Sequence, residues 1–157
     1  MAKSKTSKEA YDLCGQDGLF IPQQSIDKKK ITAMVALAIA DLEQAHRLTL
    51  ATPKESTGWS TVYKLYYDVL RCLVDALLLF DKVKSSNHQC AFAYICEKHD
   101  NLELDWNFLE KVRTKRNGIQ YYGTPVNHKD WKEIELQINI YINTLKKAIE
   151  PKIKQSN

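Results

Sequence analysis

Apolar residues recur along most of this chain at alternating steps of three and four, the period of a helix packed on one face. Ile31, Val35, Ala38, Leu42 and Ala45 form one such stripe and predict a first helix over 27–50, with Ser25 or Asp27 at its start and Pro53 beyond its end. Val62, Leu65, Val69, Leu73, Leu77 and Phe80 form a second, broadened by Tyr63, Tyr66 and Tyr67; it opens at Ser56 and Thr57 and is expected to reach Lys84. Its run LVDALLLF is apolar almost all round, which marks the most buried helix. Phe92, Ile95 and Cys96 predict a short third helix from Ser86 or Asn87 to about His99. Trp106, Leu109 and Val112 anchor a fourth, begun near Asp105 and stopped by Gly123, Thr124 and Pro125. Trp131, Ile134, Ile138, Leu145 and Ile149 anchor a fifth over 127–150, in which Asn127 and Asp130 resemble a capping box and Pro151 ends the helix.

No segment alternates with period two over six residues, and the links between helices are short. The expectation is an all-α, up-and-down bundle of four to five helices, with sequential helices antiparallel. The bundle spans 27–150. Residues 1–26 read as a poorly ordered arm whose apolar patch (Leu19, Phe20, Ile21) docks on it, and 151–157 as a solvated tail.

Composition agrees with helices. Five glycines and four prolines in 157 residues are too few for the many turns of a sandwich or barrel. The net charge of +4 is concentrated at the ends, since residues 1–30 carry six lysines and 146–157 four. A protein that coats nucleic acid spreads positive charge over its folded face. This one has only a local cluster of Lys111, Arg113, Lys115 and Arg116. No apolar run approaches the length of a membrane span, and no apolar h-region follows the polar N-terminus, so a cytoplasmic protein with reduced thiols is expected. Cys72, Cys90 and Cys96 read as small core residues. Without a CxxC pair, the spacing of Cys90, Cys96 and His99 does not match a zinc site, so no metal or cofactor is expected. His46 and His88 read as surface residues.

The chemistry concentrates in KVRTKRNGIQYYG, residues 111–123. Leu109, Val112, Arg116 and Ile119 follow helical spacing, so Arg116 falls on the stripe that faces the core or a partner. A guanidinium cannot shed its proton to enter an apolar layer and needs a carboxylate, a phosphate or a polar cleft. Asp75 is one candidate partner. The plain alternative is a salt bridge at the rim of the bundle.

The order of helices together with RNGIQYY resembles the HEPN superfamily over roughly 27–150. That family's motif is an arginine, often followed by asparagine, then a histidine a few residues on. Arg116 and Asn117 match, and Tyr121 stands at the histidine position. Some branches associated with nucleotidyltransferases carry tyrosine there, usually after an acid, whereas Gln120 precedes it in this chain. The resemblance implies a homodimer, an RNA or nucleotide ligand, and a metal-independent endoribonuclease toxin paired with a nucleotidyltransferase antitoxin. Arg116, Asn117 and Tyr121 would carry the catalytic roles, and Arg113, Lys115 and Tyr122 would add nucleic-acid contacts. Tyrosine titrates near 10 and is a poor base at neutral pH, so the residues argue for binding more strongly than for efficient cleavage. His128 lies beyond Pro125 and reaches Arg116 only if the turn folds back. The competing reading is a non-catalytic interaction module in which Arg116 is structural. A third is a substrate-binding subunit of a nucleotidyltransferase.

Overall fold

A computed structural model describes residues 4–155. Six helices carry the fold: α1 (Ser7–Gln16), α2 (Lys28–Ala51), α3 (Trp59–Phe80), α4 (His88–Lys98), α5 (Trp106–Tyr122) and α6 (His128–Lys154). The chain is thus an all-α bundle, with one two-stranded ribbon of β1 (Ile21–Pro22) paired antiparallel to β2 (Val83–Lys84).

The caps explain where the helices begin. Side chains of Thr6, Asp27, Asn87 and Asp105 each accept a hydrogen bond from the backbone N–H three residues on. Asn127 and Asp130 form a reciprocal capping box at the start of α6. Gly123, at φ 64°, ends α5 in the left-handed region, where a side chain would be strained.

α3 is the central helix and packs against α2, α4, α5 and α6. Tyr63, Tyr66, Tyr67, Leu70, Leu73 and Leu77 are fully buried on it, and Trp131 of α6 packs its ring on Tyr66 with centroids 4.4 Å apart. The expected antiparallel succession fails at one step. Tyr67 meets His88, while farther along both helices Asp81 meets Tyr94 and His99, so α4 runs in the same sense as α3. The reason is the link between them. α3 stops at Phe80 rather than near Lys84, Lys82 takes φ 60°, and residues 83–87 return along α3 in extended form. That return delivers the first turn of α4 to the middle of α3.

Three other expectations are corrected. The arm expected to be poorly ordered contains α1, capped by Thr6 and laid along α4, with Ser7 donating to Glu97 at 2.6 Å. Cys14 and Cys90 form a disulfide, with Cα atoms 5.8 Å apart, so Cys90 is not a reduced core thiol; Cys72 and Cys96 are free. α6 continues through Pro151 to Lys154, although the proline lacks the N–H that would bond the Lys147 carbonyl; the Gln155 N–H closes the last turn on the Pro151 carbonyl. Residues 1–3 of the arm and 156–157 of the tail lie outside the described residues. No helix among the described residues is long and apolar enough to cross a membrane.

Candidate functional site

α5 runs past α3 with Val112 and Leu109 in the core, and this places Arg116 one turn on, in the seam between the two helices. Its side chain is 17 % exposed. The guanidinium carbon lies 5.3 Å from the centre of the Tyr67 ring, a cation–π arrangement. The nearest carboxylate is that of Asp68, 3.8 Å from Nη2, which is too long for a hydrogen bond. Nε is buried and has no hydrogen-bond partner among the described residues.

The neighbouring arginines are differently placed. Arg113 is held by Glu110 through two hydrogen bonds, Nε at 2.5 Å and Nη2 at 3.1 Å, and Gln89 donates to the same carboxylate. Arg71, only 8 % exposed, donates from Nε to Asp75 at 2.9 Å and from Nη2 to the Ser85 carbonyl at 2.9 Å. Asp75 therefore serves Arg71, not Arg116. The four-residue spacing of Arg71 and Asp75 on one helix was the signal available in the sequence.

Two residues complete the seam: Tyr67, from the buried stripe expected of α3, and His88, which was expected at the surface. Tyr67 is fully buried, and its hydroxyl lies 2.6 Å from Nδ1 of His88. The two rings stack, with planes 15° apart and centroids at 5.7 Å. His88 is half-buried in the seam, a correction to its expected surface position. Burial and then the fields of Arg71, Arg116 and Arg113 push its pKa down to about 4, so it is neutral at physiological pH. Burial pushes the Tyr67 phenol up to about 12, against the pull of the same arginines, and it stays protonated. Burial also raises the Asp68 carboxyl, opposed by Arg116.

The remaining predicted residues scatter around α5. Asn117 is half-buried beside Arg116 in sequence. Tyr121 and Tyr122, in the last turn, are 68 % and 81 % exposed and do not enter the seam. Lys115 lies 3.7 Å from Asp130 of α6 and lines an open groove of about 830 Å³ with Ser4, Trp106, Lys111 and Thr124. His128 packs on Trp59, centroids 4.8 Å apart, and does not turn back to Arg116. Among the described residues no three His, Cys, Asp or Glu side chains gather as a metal cluster.

The seam can therefore offer an anion one guanidinium with free donors, a neutral imidazole, and a phenol that orients it. No protein-family model matches the chain, and no curated protein or solved structure matches it either.

Proposed function

We propose that this protein is a HEPN-like RNA- or nucleotide-binding protein whose phosphate receptor is Arg116. The observation that carries the reading is the state of that side chain. It is enclosed by α3 and α5, it rests on an aromatic face, and it lacks a carboxylate at hydrogen-bonding distance among the described residues. A buried donor left unpaired is costly, and the exposed part of the same guanidinium offers a phosphate oxygen a charge-assisted bond. Asn117 orients the bound group. Tyr121 and Tyr122, exposed at the end of α5, supply faces on which bases stack. Arg113 and Lys115 add attraction, with Arg113 sharing its charge with Glu110.

On this reading the protein is a homodimer and a metal-independent endoribonuclease, the toxin of a pair with a nucleotidyltransferase. Two-fold pairing would bring two Arg116 side chains towards one anionic ligand. Fluorescence anisotropy with a labelled single-stranded RNA tests the binding core of the proposal. Arg116→Ala is expected to weaken binding at least tenfold, and salt to weaken binding of the wild type. Equal affinities for the two proteins would remove it.

A second reading has one observation in its favour. Stacking on Tyr67 and the 3.8 Å approach of Asp68 are contacts that a purely structural arginine also makes. The protein would then be a non-catalytic interaction module, and Arg116→Ala would lower stability without touching any ligand.

A further inference from the structure

We infer that His88, carried into the seam by the parallel return of α4, is the residue that exchanges protons with an RNA phosphodiester held at Arg116. This rests on the phosphate-receptor reading and adds to it a proton-transfer residue outside the RNGIQYY stretch. The geometry centres on Tyr67. Arg116 lies over its ring, and His88 stacks against that ring while its Nδ1 bonds the hydroxyl. The guanidinium and the imidazole are thus held by one fully buried side chain.

Three features suit the imidazole to the role. The Tyr67 hydroxyl occupies Nδ1 and fixes the ring, which leaves Nε2 as the nitrogen without a protein partner among the described residues. When Nδ1 carries the proton and donates to the phenol oxygen, Nε2 presents a lone pair. Burial, and after it the fields of Arg71, Arg116 and Arg113, keep the ring unprotonated before substrate arrives. A bound phosphate offsets part of those fields, so the proton affinity of His88 rises when the substrate is in place. Asp75 on Arg71, Glu110 on Arg113 and half-exposed Asp68 beside Arg116 are the acids nearest these arginines.

The step balances without a metal or redox partner. Nε2 takes the proton of the ribose 2′-hydroxyl, and the 2′-oxygen bonds to phosphorus. The bond from phosphorus to the 5′-oxygen breaks, and that oxygen takes a proton from water. Arg116 stabilises the charge that develops on the phosphorane. His88 then returns its proton to solvent. The products end in a 2′,3′-cyclic phosphate and a 5′-hydroxyl.

The test uses the full chain, a mixed-sequence single-stranded RNA and its all-deoxy counterpart, with binding and cleavage read separately. Wild type is expected to cleave the RNA to cyclic-phosphate ends and to leave the DNA intact. His88→Asn should bind RNA within about threefold of wild type and cleave at least about a hundredfold more slowly, the usual cost of a lost general base. Tyr67→Phe keeps the ring and removes the hydroxyl, so it should slow cleavage less and shift the pH–rate profile. Cleavage by His88→Asn at the wild-type rate overturns the inference. So does an unaltered rate and profile in Tyr67→Phe, which serves as the test if His88→Asn does not fold. Tight binding without any cleavage by the wild type overturns the role of His88 and leaves the phosphate receptor standing. Absence of RNA binding removes the receptor itself.

Discussion

Arg71 and Arg116 both pack on α3, and they are satisfied to different degrees. Arg71 spans Asp75 on its own helix and the carbonyl of Ser85 on the returning link, both at 2.9 Å, and only its Nη1 is buried without a partner among the described residues. It staples the 83–87 segment to α3. Arg116 has an aromatic face, a carboxylate beyond hydrogen-bonding distance, and a buried Nε without a partner among the described residues. A charge with its partners in place is scaffold. A charge held only by an aromatic face and a carboxylate at 3.8 Å leaves more of its hydrogen-bonding capacity unused.

The scaffold side should show the largest effects on stability. Reducing Cys14–Cys90 releases a loop with a sequence separation of 76, and chain entropy puts the loss at about 4 kcal/mol. Denaturant unfolding with and without a thiol reductant should show it as a lower midpoint. Arg71→Ala strips Asp75 and the Ser85 carbonyl of their donor. Breaking a fully buried pair costs more, but Asp75 is partly solvated, so about 2–3 kcal/mol is expected. A loss below about 1 kcal/mol would erase the contrast drawn with Arg116.

Arg116→Ala should cost only about 1 kcal/mol, the worth of a partly exposed cation–π contact. Its larger effect is the expected tenfold or greater loss of RNA affinity. If the melt falls as far as that of Arg71→Ala while RNA binding is unchanged, Arg116 belongs with the scaffold.

A further effect concerns pH. The folded protein holds His88 near pKa 4, against 6.5 for a free histidine. Between those values the unfolded chain binds more protons, so stability falls as pH drops from 6.5 towards 4. Asp68 and Asp75, raised by burial, act in the opposite direction over part of this range. Melts of His88→Asn separate the contributions, because the acid-induced loss should be smaller in that variant.

The helical stripes were legible because burial on one face imposes a period on the residues themselves. Arg116 was legible for the same reason, as a cation falling in register with Leu109 and Val112. What surrounds it was not. Tyr67 and His88 are 21 residues apart and meet only because the link after Phe80 runs back along α3 instead of closing a tight hairpin. Nothing local marks that choice except Lys82 in a left-handed conformation, which any sequence hides. α1 escaped notice because its inward face is short, with Ala10 and Cys14 buried, and because its hold on α4 includes a covalent bond whose pairing spacing cannot specify. The exposed Tyr121 and Tyr122 show the converse. Proximity in sequence to Arg116 did not bring them into its seam.

The most direct measurement follows the arginine Nε–H resonances by NMR while inorganic phosphate, and then a mononucleotide, is titrated in. A saturable shift is expected at Arg116, whose Nε has no partner among the described residues, and no comparable shift at Arg71, whose Nε is bonded to Asp75. An Arg116 signal that stays still, or one that moves only in step with Arg71, would contradict it.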